Sequence, residues 1–399
     1  MSTESSANGT QHPGTAQDLI LVAREGATTH VTLNRPRAIN ALNSVMFAAL
    51  TAALAAAAED GSASVLLDGA GERGFCGGGD IKELSTGDTR AILASEYRLN
   101  YAISESPVPV VCVMDGIAMG GGIGLGGHAA QRVVTERSRL AMPEARIGIA
   151  PDVGGNLLLA RAPGRLGELL AVTAGEMTGG DAIALGFADW FIASEKLPEL
   201  RAALVAGEDP EDACARLASP SPASALLAER EWWDPVAEGA LAGGVFRPLG
   251  DAAAAGALRL IEALEDPQTV PAAARDRAAT TAATVQERAA TTAATMQERA
   301  ATTAATVREM CPTSIAVALA QLDRTRRDRL DLAAVLTDDL RVLGRLGPRA
   351  DFAEGVRAQV IDKDRNPRWS PARIEDLDPA ELAAILDPTP RPGEHPLSL

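Results

Sequence analysis

Apolar positions along the chain fall into two regimes. Up to about residue 195, short apolar runs alternate with longer helical stretches. LILVAREG (from Leu19) and HVTLNRP (from His30) read as a hairpin-like strand pair, followed by an Ala-rich helix from Asn43 to about Glu59. Two further runs, Ser64 to Gly71 and Pro109 to Gly116, are apolar and bounded by turn residues, as buried strands are. Between them GFCGGGDIKEL is a glycine-rich turn that leads into a helical region. A helix from about Gly121, the strand-like RVVTE and a last short strand in FADWFI complete the series. Strands alternating with helices predict an α/β domain over residues 18–195.

The second regime is Ala-rich and helical, over 196–276 and 310–385, with Pro210, Pro220, Pro222 and Pro235 expected to break up the junction. Between these stretches, residues 277–309 read RAATTAATVQE, RAATTAATMQE and RAATTAATVRE, three repeats with a period of 11 residues. About 11 residues make three helical turns, so Val285, Met296 and Val307 would fall on one stripe. The repeat carries no group able to do chemistry. It reads as a tandem lengthening of one helix or its preceding loop, the alternative being an extended partner-binding helix. Residues 1–17 and 386–399 read as a disordered and a flexible tail.

Length and charge narrow the class. A chain of 399 residues can bury a large core, and length alone suggests two or three domains. The net charge of −16 argues against nucleic-acid or anionic-membrane binding. A phosphate-bearing ligand would need a local basic cluster. Cys76, Cys112, Cys214 and Cys311 are scattered without a C-x-x-C pair, which fits reduced thiols in a cytoplasmic protein. The N-terminus has no signal- or transit-peptide pattern, and no apolar run is long enough to span a bilayer.

Candidate chemistry concentrates between Gly116 and Gly155. No H-E-x-x-H or Cys/His cluster suggests a metal, and no G-x-S-x-G elbow suggests a serine hydrolase. His128 reads as a packed or capped histidine rather than a base. Gly122, Gly124 and Gly127 match G-x-G-x-x-G, with Glu144 about 20 residues on. Yet five residues separate strand from glycines, and Glu144 follows a proline, so a nicotinamide site is disfavoured. The other use of such glycines is an oxyanion hole, because amides at a helix N-terminus are unpaired and carry partial positive charge. Gly79, in the FCGGGD turn, offers a second donor. Tight helix–strand packing would also select glycine. Glu144 and Asp152 are the acid–base candidates. The bland alternatives are a Glu144–Arg146 salt bridge and an N-cap role for Asp152.

FCGGGDI, MGGGIGLGGH, MPEARIGIAPDVGG and NRPRAINALN together resemble the crotonase (enoyl-CoA hydratase/isomerase) superfamily. With CPTS and DFAEGVRAQVIDKDRNPRW, they look most like its 3-hydroxyisobutyryl-CoA hydrolase branch, over about residues 19 to 385. That resemblance implies an α/β spiral of β-β-α units with a helical C-terminal region. It also implies an acyl-CoA thioester as substrate, with CoA part of that substrate and no separate cofactor. The oxyanion hole then falls on Gly79 and Gly121, and the acidic pair on Glu144 and Asp152. Gly78, Asp80, Gly120 and Gly124 would lie against substrate, and Arg35 and Arg37 near the CoA phosphates, with Lys82 a weaker candidate. Hydratases carry a second glutamate where this chain has Gly124, which favours the hydrolase pattern and thus valine breakdown. Glu144 acts there as general base or as nucleophile. A hydratase or isomerase of the same fold and a non-catalytic acyl-CoA-binding protein are the alternatives. A homo-oligomer is compatible with the resemblance.

Overall fold

The computed structural model describes residues 16–244, 249–266 and 283–399. Nearly all of the expected N-terminal tail and residues 277–282 of the repeat lie outside them.

The chain opens with β1 (Ile20–Glu25) and β2 (Thr28–Leu33), an antiparallel pair turned at Gly26. Gly26 has φ +52°, and a Cβ there would collide with the Val205 carbonyl. The helix Ser44–Glu59 begins where Asn43 Oδ1 accepts from the Met46 amide at 3.0 Å, a side-chain cap of the expected kind. β3 (Ser64–Gly69), β4 (Val110–Val113), β6 (Gln131–Val134) and β9 (Trp190–Phe191) then add in parallel, giving the order β1-β2-β3-β4-β6-β9. A second sheet pairs β5 (Ile117–Met119), β7 (Arg139–Ala141) and β8 (Glu176–Thr178) in the order β5-β7-β8. Its strands have only three residues each, too few to show an apolar period in the sequence.

The central strands of the large sheet are buried on both faces. Val65, Leu67, Val110 and Cys112 join the main core with the helices Ser44–Glu59 and Thr89–Ser104. Leu66, Val111, Val113 and Val133 face the other way, onto the helices Leu197–Val205 and Pro210–Leu217. Two covered faces explain why these strands read as continuous apolar runs rather than alternating ones.

The C-terminal region is helical. Ala283–Glu309 is one continuous helix whose Met296, Ala300, Ala304 and Val307 are buried, so two of the three repeat positions form a stripe. The side chain of Val285, the third, lies outside the described residues. Pro235 does not break the chain: it sits inside the helix Ala225–Leu241. Buried Trp232, Trp233, Val236 and Ala237 hold that helix through the missing hydrogen bond. The helix Pro312–Asp328 packs on Gly155–Arg161 and Leu166–Thr173, and Leu332–Leu346 packs on Thr89–Ser104. Beyond residue 385, Leu397 is buried and Arg345 bonds Glu394 at 2.7 Å.

Candidate active site

Two glycine-rich turns are joined by an isolated parallel bridge, Cys76 to Ala118, and a second bridge ties Gly79 of the first turn to Leu42. The first turn leads from β3 into the helix Ile81–Thr86, capped by Asp80, whose Oδ1 accepts from the Lys82 and Glu83 amides. The second leads from β5 into the buried helix Gly121–Gly126. A Cβ built on Gly121 would lie 3.3 Å from the Gly79 amide nitrogen and would collide with Glu96 Oε1. At Gly121 there is no room for a side chain, whereas a Cβ on Gly79 would meet only Glu96 Oε2 at 4.0 Å. As the first residue of its helix, Gly121 has no intrahelical acceptor for its amide.

Both amides line a cavity of about 630 Å³ that also holds Glu96, Glu144 and Asp152. Glu144 opens a short 3-10 helix, Glu144–Ile147, immediately after Pro143. Its Oε1 lies 2.9 Å from where a Gly120 Cβ would stand, and its Oε2 is buried without a partner. Asp152 accepts a hydrogen bond from the Tyr97 hydroxyl at 2.6 Å. The bland readings of both carboxylates fail. Arg146 donates to the Thr173 carbonyl instead of pairing with Glu144, and the following helix is capped by Gly154 without a side-chain bond.

Burial dominates the electrostatics. It pushes the Glu144 carboxyl well above the usual carboxylate range, and the charge of Asp152 adds to the effect. Burial raises Asp152 to about 6, opposed by the Tyr97 hydrogen bond. Glu96 is raised by burial first and by Asp152 second. Three acids in one cavity therefore do not all ionise near neutral pH, and the cluster both holds and accepts protons.

Sequence reasoning missed Glu96. It lies on the helix Thr89–Ser104, where buried Leu93, Glu96, Tyr97, Asn100 and Ile103 form the inward stripe. A charged residue inside an apolar helical period was the available signal. Lys363 was missed too, and it lines the cavity mouth with Arg37 and Lys82. Arg35 lies there also, but it pairs with Asp80 at 2.8 Å and donates to the Ala41 carbonyl at 2.9 Å. Gly78, Asp80 and Gly120 line the cavity as expected. Gly124 does not: a Cβ on it would meet Val153 Cβ at 2.7 Å and Asn100 Nδ2 at 2.9 Å, so it is a packing glycine. His128 bonds the Val153 carbonyl at 2.9 Å through Nε2, and burial lowers its pKa to about 4. It is a neutral structural donor.

Residues 28–386 match the enoyl-CoA hydratase/isomerase family. The chain belongs to that family. It is 33% identical to the mitochondrial 3-hydroxyisobutyryl-CoA hydrolase of Gallus gallus, over 92% of this chain and 88% of the relative. Against the Rattus norvegicus protein of the same name, identity is 34% over 93% and 89%. Among solved structures of the family, a carnitinyl-CoA dehydratase from Mycobacterium thermoresistibile matches with TM-score 0.76 and 33% identity, over 96% of this chain and 98% of that one. An enoyl-CoA hydratase from Rhodobacter sphaeroides 2.4.1 gives TM-score 0.71 and 34% identity, over 93% and 97%. The family's α/β fold with a helical C-terminal region is therefore shown for this chain. The hydrolase names carry a mitochondrial location, unlike the cytoplasmic one expected from the sequence. Among the described residues, no helix is long and apolar enough to cross a membrane.

Proposed function

We propose that the protein hydrolyses short acyl-CoA thioesters, with 3-hydroxyisobutyryl-CoA as substrate, in valine breakdown. The observation that carries hydrolysis over hydration is the packing at Gly124. Adding water across a double bond uses a second glutamate at that position, and here Val153 and Asn100 fill the space a side chain would need. The names of the hydrolase relatives point the same way.

The thioester oxygen sits between the amides of Gly79 and Gly121, which strengthen their hold as charge grows on it. One such donor contributes about 3 kcal/mol to lowering the barrier. Glu144, made more basic by burial, takes a proton from water as the water oxygen bonds the carbonyl carbon. The C–S bond then breaks, and the proton on Glu144 passes to the departing thiolate. Asp152 orients the acyl hydroxyl and assists proton transfer, while Arg37, Lys82 and Lys363 meet the CoA phosphates at the mouth. Every step uses proton movement and charge stabilisation by this chain's own groups.

The names of the two solved structures favour a second reading, dehydration or hydration of an acyl-CoA. A panel of acyl-CoAs assayed for thiol release and for loss of enoyl absorbance separates the two. Thiol release with the hydroxyacyl ester is expected; loss of enoyl absorbance without thiol release overturns the proposal. In ¹⁸O water under single turnover, label is expected in the acid product and not in Glu144.

A further inference from the structure

Asp152 is carried on a turn whose shape its own sequence disfavours. Val153 has φ +51° and Gly154 has φ +75°. A β-branched residue in the left-handed region is strained and persists only where surrounding groups hold it. Those groups can be named. The Pro151 carbonyl accepts from Asn156 Nδ2 at 2.6 Å, and the Val153 carbonyl from His128 Nε2 at 2.9 Å. The Gly154 amide donates to Asp339 Oδ2 at 3.1 Å, a residue 185 positions further along on the helix Leu332–Leu346. The other Asp339 oxygen accepts from Asn156 Nδ2 at 2.9 Å and from Gln321 Nε2 at 3.3 Å.

Asp339 is 0% exposed and makes no ion pair among the described residues. A buried carboxyl without a cation is a poor packing choice, since an apolar residue of similar volume would stabilise the fold more. Its contacts give it another use. It holds the amide two residues after Asp152 and the side chain that holds the carbonyl just before Asp152.

We propose that Asp339 is a positioning residue for Asp152, through which the C-terminal helical region sets the aim of the acid at the paired glycine amides. The inference rests on the reading of Asp152 as an acid–base group. It makes the helix Leu332–Leu346 a working part of the site, because Asp339 comes from it.

The test is Asp339→Asn in the full chain. The amide keeps the shape but turns an NH2 toward at least one of three donors. Thiol release is expected to fall at least about tenfold in kcat, with KM changed less than about threefold. A substrate-free readout separates this from failure of the hydrolase reading. Carboxyl ¹³C NMR of Asp-labelled protein follows the Asp152 titration, and its midpoint in Asp339→Asn is expected to fall by at least about half a unit. The titrating neighbours are Glu144 across the cavity and Glu96 and Tyr97 from the Thr89–Ser104 helix; His128 stays neutral above about pH 4. Gln321→Leu, which leaves the Gly154 and Asn156 bonds intact, is expected to keep both kcat and the midpoint. Should Asp339→Asn not fold, Asn156→Ala cuts the same link while leaving the Asp339 carboxyl in place, and is expected to show the same kcat loss with KM changed less than about threefold. An unmoved Asp152 midpoint in Asp339→Asn overturns the inference, as does a kcat loss, in whichever of the two variants folds, no larger than that of Gln321→Leu. If wild-type protein releases no thiol from any ester while the midpoint still shifts, the hydrolase reading fails and the positioning role stands.

Discussion

Replacing Asp152 by Asn should stabilise the protein while it abolishes turnover. In the fold, burial raises the Asp152 pKa from 3.8 to about 6. A carboxyl raised in the folded state contributes no penalty below its unfolded value. The penalty grows as pH rises through 3.8 to about 6 and is fully present above that window. About two pKa units correspond to about 3 kcal/mol. The Asn variant never carries the charge, and its amide oxygen can still accept from the Tyr97 hydroxyl. It also removes the second-largest cause raising Glu144 and Glu96. Against this stands about 1 kcal/mol for an amide NH2 with a poorer partner than the oxygen it replaces. The net gain expected at pH 7.5 is about 2 kcal/mol or somewhat more, falling to zero or below near pH 4. Urea denaturation of both proteins at several pH values between 4 and 8 measures it, and thiol release should drop at least about 100-fold. A stability difference that does not vary with pH, or a wild type that is the more stable at pH 7.5, would refute the argument that burial of a charged Asp152 governs the site.

Glu144→Gln should lower kcat for thiol release about 10²- to 10⁴-fold with little change in KM, because the base acts in the transition state and not in binding; steady-state kinetics checks this. Gly124→Glu should not convert the protein into a hydratase. Its side chain meets Val153 and Asn100, and the expected result is a loss of at least about 2 kcal/mol of stability or failure to fold, read by thermal melting. Arg37→Ala together with Lys82→Ala should raise KM for a CoA ester about three- to tenfold, and the effect should vanish with a pantetheine ester that lacks the nucleotide phosphates. Kinetics at two ionic strengths would show the same contribution screened by salt.

The central strands β3 and β4 of the larger sheet were legible because they are buried on both faces, so each stood out as an apolar run bounded by turn residues. The sheet β5-β7-β8 was not legible, since strands of three residues carry no period. Pro235 misled for a related reason: local propensity says a helix should stop there, and the packing of Trp232 and Trp233 overrides it. Candidates carried by a local turn could be named from the sequence: Gly79, Gly121, Glu144 and Asp152 line one cavity.

What the sequence concealed is the part of the site that arrives from elsewhere in the chain. Glu96 reaches the cavity from a helix that reads as amphipathic, and only its place on the inward stripe marks it. Asp339 lies on the inward face of its helix too, as a buried acid beside Asp338, which instead bonds Arg324. Both are charged residues standing where an apolar one would pack better, and both have their pKa raised by burial, with Asp152 the next cause. Two helices thus place acids around the Asp152 carboxylate, at a cost in stability that packing alone would have removed. Apolar side chains would pack better at both places, so a role in the site accounts for them: Glu96 as a third acid in the cavity, and Asp339 through the turn that carries Asp152.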